Sequence, residues 1–324
     1  MKTNPLPDWA TPIISEILSE VEKVVIGKRE VLRELLLALL VGGHVLLEGV
    51  PGVAKTHIAK TFASVIGCKF TRIQFTADLL PADITGSYMF DQKSSEFKLR
   101  KGPLFSNIVL IDEINRGTPK TQAATIEAMN EQQITIEGQT FSLETPFMVI
   151  ATMNPIETDG IYPLVQAERD RFMFRLHLDY PNEDEERQLL AKIDNIESYS
   201  VHQVTTAERI RALSPYVKKV HVSEDVAQYM VDLIRRTRDQ KQLRLGPSPR
   251  ALIQLSKACK AKAILEGRSY VIPDDVKNLI WPTLNHRIWL TREAELEEIN
   301  SADIIARVVN ETAIPGLREI GSTT

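Results

Sequence analysis

The chain has 324 residues, of which 43% are hydrophobic and 25% charged, so it is long enough for two globular domains with a sizeable core. A formal net charge of −4 and a pI near 6.0 give no broad basic surface, which argues against wide contact with a nucleic-acid backbone. Cys68 and Cys259 lie far apart and in no metal-ligand spacing, so both are predicted to be reduced thiols.

The sequence predicts a cytoplasmic protein without a membrane span. The first residues contain no apolar signal-peptide segment. The longest apolar run, from Leu35 to Val41, is much shorter than the roughly 20 residues that a membrane helix needs.

Two helices are predicted before the first strand. Apolar residues recur at helical spacing over residues 13–25, and a second apolar helix is predicted over residues 29–41. Ile26-Gly27-Lys28 interrupts the pattern. In phosphate-loop proteins of this layout the interruption commonly lies against adenine, so Val25, Ile26 and Gly27 are candidate base contacts. An ordinary turn between helices is the alternative.

Residues 44–57 are predicted to form a short buried strand, a glycine-rich loop and the start of a helix. Gly49 and Gly52 would let the backbone turn so that several N–H groups face a phosphate, and the helix dipole would favour an anion there. Lys55 would reach the β- and γ-phosphates of ATP, and the Thr56 hydroxyl would coordinate Mg²⁺. The candidate nucleotide-binding residues of the loop are Gly49, Pro51, Gly52, Val53, Ala54, Lys55, Thr56 and His57.

The loop departs from G-x-x-x-x-G-K-[ST] at one position. Ala54 stands where the pattern has its last glycine, and we expect its small side chain to be tolerated there at negative φ. Without a second motif, an ordinary turn from strand to helix would remain an alternative for this stretch.

A second motif follows about sixty residues later. Residues 108–113, Ile-Val-Leu-Ile-Asp-Glu, form a continuous apolar run that is typical of a central parallel strand and ends in two carboxylates. Asp112 is predicted to hold Mg²⁺, directly or through water. Glu113 is predicted to orient and polarise the water that attacks the γ-phosphate.

Strands and helices alternate through residue 181, as an open α/β sheet requires. Further strands are predicted over residues 69–75, 147–152 and 172–178, a loop over 76–83, helices over 119–130 and 164–170, and hairpins over 84–102 and 133–143 with Glu137-Gly138 at the second turn. Asn154 follows the 147–152 strand, where its amide could hydrogen-bond the attacking water or the γ-phosphate, although asparagine before proline is also a common turn.

From Asn182 onward the sequence gives no strand signal. Amphipathic helices are predicted around residues 226–234, 249–265 and 273–280. We therefore predict an α/β core domain over residues 1–181 and a small all-helical domain over residues 182–324.

Three arginines are candidates for contact with the γ-phosphate. Arg250 lies just inside the start of a predicted helix, from which it could fold over the nucleotide of its own chain. Arg171 lies at the edge of the α/β domain and is predicted to act on the nucleotide of a neighbouring subunit in a ring. Arg169 competes with Arg171 for that role. For these two the alternative is an ion pair with Glu168 or Asp170, and for Arg250 a surface position.

Over almost its full length the chain resembles the MoxR family of AAA+ ATPases. The resemblance rests on the residue stretches 49–56, 75–86, 102–105, 110–116, 151–155, 170–172 and 248–251. It implies an αβα P-loop NTPase sandwich with a parallel central sheet, followed by a helical lid domain.

The resemblance also implies roles for single residues. It gives Walker A at Lys55 and Thr56, Walker B at Asp112 and Glu113, sensor 1 at Asn154, the arginine finger at Arg171 and sensor 2 at Arg250. The family's usual leucine before Asp-Arg-Phe is Arg169 here, which makes two arginines available for the finger. The hairpins at 84–102 and 133–144 would be inserts that face the pore of a ring.

The function implied is Mg²⁺-dependent ATP hydrolysis by a ring, a hexamer or another size, that remodels or matures a protein client. The client could carry a von Willebrand factor A domain. Two alternatives stay open: a nucleic-acid-dependent motor, which the acidic balance opposes, and a nucleotide-binding switch with little turnover, which Glu113 and Asn154 oppose.

Overall fold

The computed structural model describes Pro7 and residues 9–50, 52–154 and 160–315, without the side chains of residues 193–198. Its backbone contacts divide the chain into two compact units. One runs from Pro12 to Leu213, and the other comprises the described residues up to Thr11 and from Ser214 onward. The predicted domain boundary near Pro181 lies before the division at Leu213, and it stays a prediction.

The described part of the chain contains short strands throughout. In chain order they are β1 (Val45–Gly49), β2 (Phe70–Gln74), β3 (Gly86–Asp91), β4 (Glu96–Lys101), β5 (Ile108–Asp112), β6 (Gln133–Ile136), β7 (Gln139–Ser142), β8 (Met148–Met153), β9 (Phe174–Leu178), β10 (Leu243–Leu245) and β11 (Trp289–Leu290).

Helices connect most of these strands and make up most of the C-terminal region. They are α1 (Ala10–Glu22), α2 (Arg29–Leu40), α3 (Lys55–Val65), α4 (Pro81–Thr85), α5 (Pro119–Glu131), α6 (Gln166–Arg169), α7 (Glu183–Ser198), α8 (Ala207–Lys219), α9 (Glu224–Arg238), α10 (Pro249–Leu265), α11 (Pro273–Leu284), α12 (Arg292–Leu296) and α13 (Ser301–Glu311). A single 3₁₀ turn, Ile114–Arg116, follows β5.

The first unit is built on a five-stranded parallel sheet. The strand order is β2-β5-β8-β1-β9, so β2 and β9 are its edge strands. Every residue of β1 and β8 is buried, because strands in the middle of a parallel sheet are covered on both faces. The predicted α/β class with a parallel central sheet is confirmed.

Both predicted hairpins are present. β3 pairs with β4, and β6 pairs with β7. Glu137 and Gly138 have φ values of 48° and 83°, as a tight two-residue hairpin turn requires. The predicted loop over residues 76–83 is only partly correct, since Pro81 begins the short helix α4. Proline is favoured at the first position of a helix, which accounts for the start of α4 at this residue.

The second unit is mainly helical, as predicted. Helix α9 packs against α10, α11 and α13, and α10 packs against α11. The expectation that this region has no strands was wrong, because β10 and β11 form a two-stranded antiparallel ribbon. With lengths of three and two residues, these strands are too short to produce a periodic pattern.

Two smaller expectations can be compared with the structure. Cys68 and Cys259 are both buried free thiols, and burial raises the pKa of Cys68 to about 12. Among the helices in the described residues, none is both long and apolar enough to cross a membrane.

Candidate nucleotide-binding site

One cavity of about 420 Å³ lies where strands of the central sheet end. Because parallel strands end at the same edge of the sheet, residues that are distant in sequence converge there. The cavity is lined by Gly52, Ala54, Lys55, Thr56, His57, Arg72, Gln74, Asp112, Glu113 and Asn154. The structure thus brings together the predicted phosphate loop, the predicted acidic pair and Asn154.

The loop between β1 and α3 requires glycine at two positions for different reasons. Gly52 has a φ of 87°, a conformation that favours glycine. At Gly49 a side chain is excluded by close packing instead, because an added Cβ would lie 2.6 Å from the carbonyl oxygen of Leu178 on β9. Lys55 begins α3, and its Nζ donates a hydrogen bond of 2.6 Å to the carbonyl oxygen of Gly49. Pro51 lies outside the described residues.

Ala54 does not have the expected negative φ. Its φ is 59° and its ψ is 24°, which is the left-handed helical conformation, at the residue immediately before α3. The expectation was wrong because Ala54 is the residue at which the loop enters α3, and the pattern position alone does not reveal the backbone conformation there. Left-handed backbone costs about 1–2 kcal/mol for a residue with a Cβ, so this loop is locally strained.

Two further loop residues have separate environments. Val53 is buried, and its Cγ2 lies against the backbone at Gly49 rather than among the cavity-lining residues. His57 lines the cavity, and its Nε2 donates a hydrogen bond of 3.3 Å to the carbonyl oxygen of Val24. The phosphate loop is therefore linked to the turn between α1 and α2.

The candidate adenine contacts lie in this turn, but the described lining of the cavity includes none of them. Val25 is buried, and Gly27 has a φ of 72°. The carboxylate of Glu185, near the start of α7, lies so close to Gly27 that it would meet an added Cβ at 2.0 Å. The assignment of Val25, Ile26 and Gly27 to adenine stays a prediction.

Asp112 is held on both of its carboxylate oxygens. The Thr152 hydroxyl donates a hydrogen bond of 2.6 Å to Oδ1. Arg72, on the edge strand β2, donates to Oδ2 from Nε at 3.1 Å and from Nη2 at 2.7 Å. The position of this carboxylate is thus fixed by strands on each side of β5.

Glu113 has a φ of 56°, uncommon for a residue with a side chain, and its backbone N–H donates to the Thr152 hydroxyl at 3.0 Å. Its Oε2 accepts a hydrogen bond of 2.8 Å from Gln74 Nε2 and forms an ion pair of 3.0 Å with Arg116 Nε. Asn154 is buried and lines the same cavity.

Sequence reasoning missed Arg72, Gln74 and Thr152. Arg72 and Gln74 alternate with the buried Ile73 at the end of a predicted strand, which places both on one face. This alternation of polar and buried residues is the sequence signal that could have identified Arg72 and Gln74. Their contact with the acidic pair depends on β2 lying beside β5, and the sequence does not reveal this order.

The donor atoms of the site fit Mg²⁺ together with a nucleotide. Thr56 offers a hydroxyl and Asp112 a carboxylate, both hard oxygen ligands that line the same cavity as Lys55. Within the described residues no group of three or more histidine, cysteine or acidic side chains could hold a metal ion alone. A divalent cation here would therefore complete its shell with phosphate oxygens and water, as Mg²⁺ commonly does.

The three candidate arginines have different surroundings. Throughout the described residues the Arg171 side chain has no hydrogen bond or ion pair. Arg169 is half-buried, its Nε has no partner, and burial together with the nearby Arg175 lowers its pKa. Neither forms the ion pair with Glu168 or Asp170 that the sequence left open. Arg250 is the second residue of α10, in the other unit, so its approach to the nucleotide stays a prediction.

Comparison with known proteins identifies the class. Residues 44–174 match the family model described as the ATPase family associated with various cellular activities, and residues 235–308 match that of the AAA lid domain. The crystal structure of a protein from Cytophaga hutchinsonii superposes with a TM-score of 0.89 at 39% identity, covering 94% of this chain and 96% of that one. The fold is therefore that of an AAA ATPase with its lid.

Similar proteins narrow the class to a family. A Bacillus subtilis protein named YeaC is 43% identical over 94% of this chain and 95% of its own length. Chaperone MoxR1 of Mycobacterium tuberculosis is 39% identical over 95% of this chain and 84% of its own length. Protein MoxR of Paracoccus denitrificans is 30% identical over 83% of this chain and 86% of its own length. The chain belongs to the MoxR family of AAA+ ATPases.

Proposed function

We propose that this protein is a Mg²⁺-dependent ATPase that works as a ring of identical subunits and uses ATP hydrolysis to remodel a protein client. The observation that carries the proposal is the convergence of Lys55, Asp112 and Glu113 around one cavity, from three separate segments of the chain. A phosphate-binding cation, a metal-binding carboxylate and a second carboxylate are the groups that nucleotide hydrolysis requires.

Binding of ATP uses the phosphate loop and the start of α3. Lys55 now bonds the Gly49 carbonyl, and with ATP present it turns to the β- and γ-phosphates. Thr56 and Asp112 would hold Mg²⁺, and the bound cation would supply positive charge to neutralise the phosphate oxygens. Gly52, Ala54 and His57 line the cavity and would complete the phosphate side of the site. Val25, Ile26 and Gly27, which do not belong to the described lining, would contact adenine.

Glu113 orients and polarises the attacking water, and Asn154 hydrogen-bonds that water or the γ-phosphate. Glu113 lies at the end of β5 and Asn154 directly after β8, and these strands are neighbours in the sheet. The hydrogen bond from the Glu113 backbone N–H to Thr152 fixes the backbone at this residue, so only the side chain has to move before the carboxylate accepts a proton. Gln74 and Arg116 hold the carboxylate while nucleotide is absent.

Arg171 acts on the nucleotide of a neighbouring subunit. Phe174, the first residue of β9, pairs with Val45, whereas Gly49 at the phosphate loop pairs with Leu178. At about 3.3 Å per residue, the start of β9 lies about 13 Å from the phosphate-loop edge, and Arg171 precedes it. Arg171 is therefore far from its own phosphate loop, and its guanidinium, which has no partner among the described residues, suits an acceptor from another subunit better than the half-buried Arg169.

The proposed chaperone role is inferred from the name of one relative. Chaperone MoxR1 is named a chaperone, so a protein client is the substrate class we propose. Arg250 contacts the γ-phosphate in its own chain and moves the helical unit with nucleotide state. A client with a von Willebrand factor A domain, a cytoplasmic location and a hexameric ring are parts of the same proposal.

The test is steady-state ATP hydrolysis by purified protein in Mg²⁺. Replacing Glu113 by Gln removes the proposed base but keeps the hydrogen bonding to Gln74, so turnover should fall by roughly 10²–10⁴-fold. Binding of a fluorescent ATP analogue should be nearly unchanged. Lys55→Ala should instead weaken binding of the analogue. Equal loss of binding and turnover in Glu113→Gln would contradict the assigned role, and no hydrolysis by the unmodified protein at any concentration would contradict the proposal.

A further inference from the structure

Arg72 occupies the carboxylate that the proposed metal would use. A carboxylate offers about four acceptor sites. Arg72 fills two of these at Asp112 Oδ2, and the Thr152 hydroxyl fills one at Oδ1. A divalent cation that binds Asp112 must therefore take the place of Arg72 at Oδ2 or approach close to its positive charge.

The geometry of β2 allows Arg72 to leave this position. β2 is an edge strand, and 47% of the Arg72 side chain is exposed, so its stem is not locked in the core. Its Nη2 also donates to Gln74 Oε1 at 2.7 Å, which keeps the guanidinium inside the cavity. The side chain is held by hydrogen bonds rather than by packing, and these exchange more readily than a buried contact.

From these contacts, and on the basis of the ATPase function proposed above, we propose that Arg72 is a positioning residue that lowers the metal affinity of the nucleotide-free site. Its guanidinium holds Asp112 in place and occupies Oδ2 until the phosphates of ATP arrive. The phosphates then offer Arg72 a new anionic partner, which frees Oδ2 for the cation. Metal and nucleotide consequently bind together rather than separately, since each favours the other by the same factor.

The experiment measures Mn²⁺ binding to nucleotide-free protein from the loss of the electron paramagnetic resonance signal of free Mn²⁺. Arg72→Gln removes the competing cation, so its Mn²⁺ dissociation constant should be about tenfold lower than that of the unmodified protein, because a unit charge next to a divalent ion is strongly repulsive. Arg72→Lys keeps the charge but cannot make the same paired hydrogen bonds, so its gain should be smaller.

The matched control is Arg209→Gln. Arg209 is exposed on α8 and does not belong to the described lining of the cavity, so the same change of charge should leave Mn²⁺ affinity unaltered. Arg72→Met also removes the guanidinium, with a side chain of similar length, and should show the same gain in Mn²⁺ affinity. It takes the place of Arg72→Gln if that variant folds poorly. Thermal melting followed by circular dichroism identifies the folded variants.

The inference is overturned if Arg72→Gln and Arg72→Met bind Mn²⁺ no more tightly than the unmodified protein does. Binding of a fluorescent, non-hydrolysable ATP analogue with Mg²⁺ is measured in parallel. If the unmodified protein binds the analogue normally and the Arg72 variants gain no Mn²⁺ affinity, only this inference fails. If the unmodified protein does not bind the analogue, the proposed ATPase function fails as well.

Discussion

The two edge strands of the central sheet carry arginines in opposite situations. On β2, Arg72 makes three hydrogen bonds to Asp112 and Gln74, all within its own protomer. Near β9, Arg171 has no side-chain partner among the described residues, and the Arg169 Nε has none either. Arg175 on β9 is the exception, since its Nε donates to the buried Glu48 at 2.6 Å.

This difference indicates which groups supply hydrogen-bond acceptors to the arginines at each edge of the sheet. An arginine that loses water without gaining an acceptor is costly, so a folded protein normally supplies one. The acceptors of Arg72 are residues of the same chain, so the hydrogen bonds of this arginine need no second subunit. Among the residues that the structure describes, the edge at β9 is short of acceptors for Arg169 and Arg171, as expected if a neighbouring subunit and its nucleotide provide them.

Removing Arg171 should produce the largest effect. If Arg171 reaches the γ-phosphate of a neighbour, Arg171→Ala should lower ATP turnover by roughly 10³-fold or more while binding of an ATP analogue is nearly unchanged. Arg209→Ala, an exposed arginine of the same unit, is the control and should retain full turnover. Turnover is measured at a protein concentration at which light scattering detects rings.

Mixing variants tests whether the arginine acts between subunits. Arg171→Ala and Lys55→Ala are each expected to be inactive alone. A mixed ring contains interfaces that pair an intact phosphate loop with an intact Arg171, so the mixture should recover part of the activity. If mixed rings assemble and no activity returns at any ratio, Arg171 does not act on the nucleotide of a neighbouring subunit in the way proposed.

The sequence predicted the parts of this fold that are coded locally. The phosphate loop, the apolar strand ending in Asp112 and Glu113, and the turn at Glu137 and Gly138 are continuous segments with their own periodicity or turn chemistry. The contacts of Arg72 could not be predicted because they depend on β2 lying next to β5. The same lateral order brings Thr152 to Asp112 and Glu113.

Other failures have the same origin in three-dimensional context. Ala54 has a left-handed backbone because of how the loop joins α3, although alanine itself disfavours that conformation. The ribbon of β10 and β11 has too few residues to show a period. In each case the local sequence preference does not determine the structure, which depends on how the segment joins or pairs with a neighbouring element.

His44, at the start of β1, is a titratable group in the middle of the sheet, and both of its ring nitrogens have hydrogen-bond partners. Its Nδ1 accepts a hydrogen bond of 3.0 Å from the Val149 N–H, so the ring proton is on Nε2, which donates to the Met129 carbonyl oxygen at 3.0 Å. Burial lowers the pKa of His44 to about 4, and the Met129 carbonyl opposes this only partly. The neutral ring is the form that the fold requires.

The stability of the protein should therefore fall in mild acid. The pKa of His44 is lower in the folded than in the unfolded chain, so its contribution is fully present above pH 6.5 and is lost as the pH falls from 6.5 to 4. The limiting loss is about 3 kcal/mol. His44→Gln keeps one acceptor and one donor but does not titrate, so its unfolding free energy in urea should depend less on pH. Equal pH dependence in both proteins would contradict a neutral, buried His44.

Replacing Arg169 should give the smallest effect of these changes, and it should stabilise the protein rather than weaken its activity or stability. Arg169 is half-buried beside Arg175, with its Nε unsatisfied, so Arg169→Met should raise the unfolding free energy of the isolated subunit by about 1 kcal/mol. Arg175→Met is the matched comparison. It leaves the buried Glu48 without its arginine partner and with only His177 nearby, so it should destabilise the subunit by about 3 kcal/mol. Urea unfolding at low protein concentration measures both. Destabilisation by Arg169→Met would mean that this arginine is already satisfied within the subunit, and the β9 edge would then lack only the acceptor of Arg171.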